Sequence, residues 1–278
     1  MRMRCAVILG IAWMCALATN GQASNPLEKI NWQAGPSVGD LSGTADIRVP
    51  EGFVFAGAND TRLLMTAMQN PTSGQEKGFV APTGLAWFVV FEFDDAGYVR
   101  DDDKAALDAN AMLESIKQGT EMGNKDRQKR GWPTMTITGW EQAPRYNETT
   151  HNLEWAIRAE SDGKPVVNYN TRLLGRGGVM KVTLVADPAE FGPTLPKFRS
   201  VLDGYAFKEG QKYAEWKKGD KVAAYGLSAL VVGGAAAVAA KAGAFKGLWK
   251  LLAVGVVAIG AAIKGLWSRL SGRKPPQQ

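Results

Sequence analysis

One stretch limits what this chain can become more than any other. "VAAYGLSALVVGGAAAVAA", Val222 to Ala240, runs for nineteen residues without a charged side chain. As a helix rising 1.5 Å per residue it is about 28 Å long, close to the hydrocarbon thickness of a bilayer. The reading is a transmembrane helix. The alternative is an alanine-rich helix buried in a protein core. Ala229, Gly233 and Ala237 recur at every fourth position. Lipid gives helices no hydrophobic reason to meet, so close backbone packing over such a stripe must supply the attraction.

A second apolar segment follows, "LWKLLAVGVVAIGAAIKGLW", Leu248 to Trp267. Its uninterrupted part, Leu251 to Ile263, is short. Lys250 and Lys264 can snorkel, however, and Trp249 and Trp267 suit the two interfaces. Two spans would make a helical hairpin, and the small residues of both segments favour packing of one on the other. The positive-inside rule opposes it, because Lys264, Arg269, Arg273 and Lys274 would end outside. A single span would leave a cationic tail free to lie on an anionic leaflet.

The amino terminus, "MRMRCAVILGIAWMCALATNGQAS", has the parts of a secretory signal. Arg2 and Arg4 are followed by an apolar run from Ala6 to Leu17 and by small residues ending at Ala23. Cleavage there gives a mature chain starting near Ser24. Both cysteines, Cys5 and Cys15, fall within the signal. The exported part then has neither a disulfide nor a thiol nucleophile, although export permits disulfides.

The formal charge of +6 is uneven. From Lys217 onward there are ten Lys and Arg against one acid, Asp220, which leaves residues 24–216 net negative. A nucleic-acid binder needs its basic patch on the folded domain, so that partner is excluded. No phosphate loop, thiolate metal cluster or nucleophile elbow occurs, and no cofactor is expected.

Residues 24–216 read as an α+β domain on an antiparallel sheet with a few packing helices. "LAWFVVFEFDD" alternates Trp87, Val89, Phe91 and Phe93 with Phe88, Val90, Glu92 and Asp94. Both faces are apolar at its start, which predicts a central strand. "RDDDKAALDANAMLESIKQG" predicts a helix capped by Asp102 or Asp103. "TMTITGW", "HNLEWAIRAE", "VVNYNTRLLG" and "VMKVTLVAD" predict four strands, with turns at Gly163 and Gly177. A helix over Leu195 to Asp203 and a short "YAF" strand close the domain. This order resembles the PsbP-like sandwich.

The lone histidine, His151, lies at the rim of a strand, on the side of Leu153, Trp155 and Ile157. Its expected role is a rim hydrogen bond. A catalytic role would need a nucleophile and an acid beside it. Glu92 and Glu154 are candidates for paired carboxylates of a hydrolase, provided that they face one pocket. Asp94, Asp95 and Asp101 could gather around a cation, but their spacing misses the EF-hand loop. Turn and cap preferences account for these acids as well.

Taken together, "SGTADIRVPEGFVF", "WFVVFEFDDAGYVRDDDK", "RGWPTMTITGW", "THNLEWAI", "NYNTRLLGRGGVM" and "GDKVAAYGLSALVVGGAAAVAAKAG" resemble a bacterial family of uncharacterised membrane-anchored proteins, domain of unknown function 2167. The resemblance implies a bacterial inner-membrane protein whose main domain faces the periplasm. It implies no reaction, cofactor or catalytic residue. The expected function is a membrane-anchored binding or interaction module without enzymatic activity. Its expected partners are membrane lipid and another envelope protein, or a second copy joined through the membrane helices. The alternative is a carboxylate-dependent periplasmic hydrolase using Glu92, Glu154 and His151.

Overall fold

The computed structural model describes residues 26–232. Eleven strands and four helices are built there, with three single turns of 3-10 helix. The strands are β1 (Gln33–Ala34), β2 (Ser37–Asp40), β3 (Ala45–Val49), β4 (Phe53–Gly57), β5 (Glu76–Pro82), β6 (Phe88–Asp94), β7 (Met135–Asn147), β8 (Asn152–Ser161), β9 (Lys164–Leu174), β10 (Val179–Ala186) and β11 (Tyr205–Phe207). The helices are α1 (Ala58–Ala67), α2 (Ala109–Lys129), α3 (Pro188–Leu202) and α4 (Leu227–Val232).

An eight-stranded antiparallel sheet has the order β1-β4-β5-β6-β10-β9-β8-β7, and a three-stranded sheet has the order β11-β3-β2. As its alternation predicts, β6 is central. Phe88 and Val90 enter one core cluster, while Val89 and Phe91 enter another. The first cluster joins the large sheet to α1, α2 and α4 through Leu64, Met65, Met112, Ile116, Leu227 and Val231. The second joins the opposite face to the small sheet and α3 through Ala45, Ile47, Val49, Phe198 and Val201. The fold is thus α+β, with a large sheet covered on both faces.

A Pro50–Gly52 turn joins β3 and β4, but these strands do not pair with each other. β3 belongs to the small sheet and β4 to the large one. Helix α3 begins at Pro188, earlier than the expected Leu195. The Asp187 side chain accepts from the Ala189 N–H, and a proline in the first turn loses no hydrogen bond there.

The region after β6 departs most from expectation. Asp102 and Asp103 do not cap the helix that follows them in sequence. Lys104–Ala106 makes one 3-10 turn, and α2 starts at Ala109 with Asp108 as its cap, accepting from Asn110 N and Ala111 N at 3.0 Å. A cap must stand immediately before the first free N–H groups, and Asp108 does.

The chain past the expected boundary at residue 216 continues to contact the domain. Residues 217–232 are bonded to the domain, and Leu227, Leu230 and Val231 are buried in its first core cluster. No helix among the described residues is long and apolar enough to cross a membrane. The signal segment, the remainder of the first expected span with Gly233 and Ala237, and the whole of the second lie outside the described residues. Ala229, the remaining member of the small-residue stripe, sits half-buried in α4.

Candidate functional site

Beyond Asp94 the chain "DDAGYVRDDD" crosses one end of the large sheet and receives the carboxy-terminal strap, residues 213–228. Strap and loop approach closely at Gly97. A Cβ there would lie 2.7 Å from the Lys221 carbonyl oxygen, and its φ of +97° also suits glycine. The backbones then pair: Tyr98 N–H donates to Lys221 O at 2.8 Å, and Ala223 N–H donates to Tyr98 O at 2.9 Å.

Side chains extend the contact. The Arg176 guanidinium makes a two-pronged pair with Asp220, at 2.7 and 2.8 Å. That bond and the Lys217 N–H hold the Asp220 carboxyl down to about 2. Lys221 Nζ donates to Asp95 O at 2.6 Å, and Tyr225 Oη donates to Asp94 Oδ2 at 2.9 Å. Asp103 does cap a helix, though one more than a hundred residues away. It accepts from Leu227 N–H at 2.9 Å, Ser228 N–H at 3.2 Å and Ser228 Oγ–H at 2.9 Å. Partial burial pushes the Asp103 carboxyl up, but these three donors outweigh it and hold it below the usual carboxylate range. Gly226 lets the carboxylate in, since a Cβ there would be 2.6 Å from Asp103 Oδ1.

Beneath the strap lies a charged row. Glu76, Glu92, Lys181 and Arg172 are direct cross-strand neighbours on β5, β6, β10 and β9, and so share one face of the sheet. Ser73 Oγ donates to Glu92 Oε1 at 2.7 Å, and Ser73 N–H donates to Glu76 Oε1 at 2.6 Å. Arg172 is only 3% exposed, and its guanidinium lies 4.5 Å above the Trp155 ring. Its hydrogen bonds, to Thr171 O and Asn170 Oδ1, are both long at 3.4 Å. The Nε–H and the indole N–H of Trp155 have no acceptor among the described residues. Burial pulls the guanidinium down to about 10, while Glu92 and Asp94 oppose this through space.

His151 stands at the edge of the same site. It belongs to the turn between β7 and β8 rather than to a strand, with a φ of +52°. The Tyr146 hydroxyl donates to Asp101 Oδ2 at 2.9 Å, and His151 Nδ1 lies 3.0 Å from the same hydroxyl. The one phenolic proton goes to the carboxylate, so the histidine must carry its proton on Nδ1 and donate it to the Tyr146 oxygen. Burial and Asp101 together raise the Tyr146 phenol well above its ordinary range, which makes it a poor nucleophile. The imidazole packs on Tyr213 at 4.7 Å, and Tyr213 stacks on Tyr98 at 4.4 Å. His151 is thus bonded to Tyr146 within the β7–β8 hairpin, and the Tyr146–Asp101 bond links that hairpin to the loop that holds the strap.

The other expected residues divide clearly. Glu92 and Glu154 are not a pair. Arg172 stands opposite both Glu92's neighbour Lys181 and Leu153, so Glu154, one residue beyond Leu153, points to the opposite face. There Glu154 accepts from Tyr169 Oη at 2.8 Å and Arg145 Nη2 at 3.2 Å. Asp94, Asp95 and Asp101 do not converge on one point. Tyr225, Lys221 and Tyr146 engage them separately, and no His, Cys, Asp or Glu group among the described residues could hold a metal ion. Arg172, Trp155, Tyr225 and the long-range role of Asp103 were not foreseen. "NYNTR" carried a readable signal for Arg172, since Asn168, Asn170 and Arg172 take alternate positions between the apolar runs Pro165–Val167 and Leu173–Leu174.

No curated protein matches the chain significantly. Among solved structures, cyanobacterial PsbP (CyanoP) from Synechocystis sp. PCC 6803 is similar over 69% of this chain and 99% of its own, at 10% identity and a TM-score of 0.39. The Pseudomonas aeruginosa protein of unknown function PA94 is similar over 60% of this chain and 92% of its own, at 11% identity and a TM-score of 0.26. Neither score is high enough to carry an argument. The sequence profile of a protein family of unknown function, DUF2167, matches residues 33–264, which is most of the chain, and the chain belongs to that family.

Proposed function

We propose that this protein is an exported, membrane-tethered interaction module with no reaction of its own. The observation that carries the proposal is the Asp103 cap. It joins the folded domain through directional bonds to the start of the uncharged run from Val222 to Ala240. The cap ties the folded domain to the same apolar run that would tether it, so the surface offered to an envelope partner depends on where that run lies. The geometry favours this reading over the hydrolase one in that Glu92 and Glu154 face opposite sides of the sheet.

The test begins with native membranes washed in alkaline carbonate. The full chain should stay with the membrane and, once solubilised in detergent, should co-purify in fixed ratio with a partner or with a second copy. Release into the wash would defeat the tethering. Hydrolysis of ester, glycoside or peptide probes that disappears in Glu92→Gln or Glu154→Gln would replace the module with an enzyme.

A further inference from the structure

The docked strap and the expected membrane span use the same residues. Leu227, Leu230 and Val231 are buried against the domain, in one cluster with Met112, Ile116 and Trp155. With residues 222–232 committed there, the uncharged run that remains is Gly233 to Ala240, eight residues before Lys241. Eight residues of helix reach about 12 Å, far short of the ~30 Å hydrocarbon layer, whereas the whole nineteen reach about 28 Å. This segment cannot dock on the domain and span the membrane at one time.

We infer that the surface between Asp103 and Met112 is a docking groove whose occupant is the chain's own segment Val222–Val232, and that the segment leaves it on entering the bilayer. The inference rests on the membrane reading given above. Both positions withdraw Leu227, Leu230 and Val231 from water, while docking alone covers the domain's Met112, Ile116 and Trp155 and insertion alone buries the rest of the run. The polar contacts then shift that balance. In the docked position these are the Asp103 cap and Tyr225 on Asp94. The charged side chains facing the segment are thus Asp94, Asp103 and, through space, Arg172. Departure uncovers an apolar floor with acids at its rim, a shape that accepts the amino-terminal end of another apolar helix: the apolar side chains fill the floor and an acid takes the free N–H groups.

The test uses the full chain in lipid nanodiscs, with Cys5 and Cys15 replaced by serine and single cysteines introduced. Met112→Cys reports the groove through its reaction with a soluble maleimide. Ala229→Cys carries a fluorophore and reports bilayer entry through quenching by nitroxide-labelled lipid chains. Leu184→Cys, on the opposite face and fully buried, monitors unfolding. In the parent chain both signals should be present but minor, below about a tenth of their full value. Asp103→Ala should raise Met112→Cys labelling roughly tenfold, as expected for loss of a helix cap, and raise quenching at Ala229→Cys in step, with Leu184→Cys still protected. Groove labelling that rises without lipid quenching would overturn the inference, as would two signals unmoved by Asp103→Ala or complete quenching in the parent chain. Carbonate extraction of the same variants separates these results from failure of the membrane reading, since a chain found in the wash has no inserted position at all.

Discussion

Arg172→Met is expected to stabilise the protein. The guanidinium is fully enclosed, and burial lowers it from the usual arginine range to about 10. At 1.36 kcal/mol for each pKa unit, the charged form is about 3 kcal/mol less favourable in the fold than in water. The stack on Trp155 offsets part of this, about 1–2 kcal/mol for a desolvated cation–π contact. Methionine fills most of the same volume, and replacing a buried charge by an apolar side chain is commonly neutral or stabilising. Glu92 and Asp94 keep their own bonds to Ser73 and Tyr225, so neither is left stranded. The net expectation is a gain of about 1–2 kcal/mol, or roughly 2–8 °C in the thermal midpoint of a domain this size. Urea denaturation of the detergent-solubilised full chain at pH 7.5, with scanning calorimetry, measures the difference. A loss of more than about 1 kcal/mol at an unchanged denaturant slope would refute the reasoning, because the guanidinium would then be holding an acceptor worth more than its burial.

Three further outcomes follow from the same contacts. A chain ending at residue 212 should be several kcal/mol less stable to urea than one ending at 232, because it forfeits burial of Leu227, Leu230 and Val231 at about 1.5–3 kcal/mol each. Equal midpoints would mean that the strap is not part of the fold. His151→Gln should cost no more than about 2 kcal/mol, as for a partly exposed hydrogen bond, and leave membrane association and any cellular phenotype intact; loss of phenotype at normal abundance and melting point would assign the imidazole a chemical role. Asp103 and Asp220 are depressed in the fold, so their contribution is complete above their unfolded range near 4. It is lost as pH falls through their folded values, about 2 for Asp220. Denaturation midpoints measured from pH 5 to pH 2 should fall less steeply in Asp220→Asn than in the parent.

The sequence alone was enough for much of the architecture. Alternation of apolar side chains is set by the two-residue repeat of a strand, so β6, β8, β9 and β10 could be read from their own residues, and the apolar start of β6 foretold its central place. The uncharged run at Val222–Ala240 likewise declared that it must leave water, without saying where it would go. Only the tertiary structure decided what joins residues distant in the chain. Asp103 looks like the cap of the helix beside it, yet it caps one that begins at Leu227, because a carboxylate goes to whichever free N–H groups the fold brings within about 3 Å. Glu92 and Glu154 look alike as candidate acids, yet the register across β9 and β10 turns them to opposite faces, and a register is fixed by the pairing of whole strands rather than by either residue.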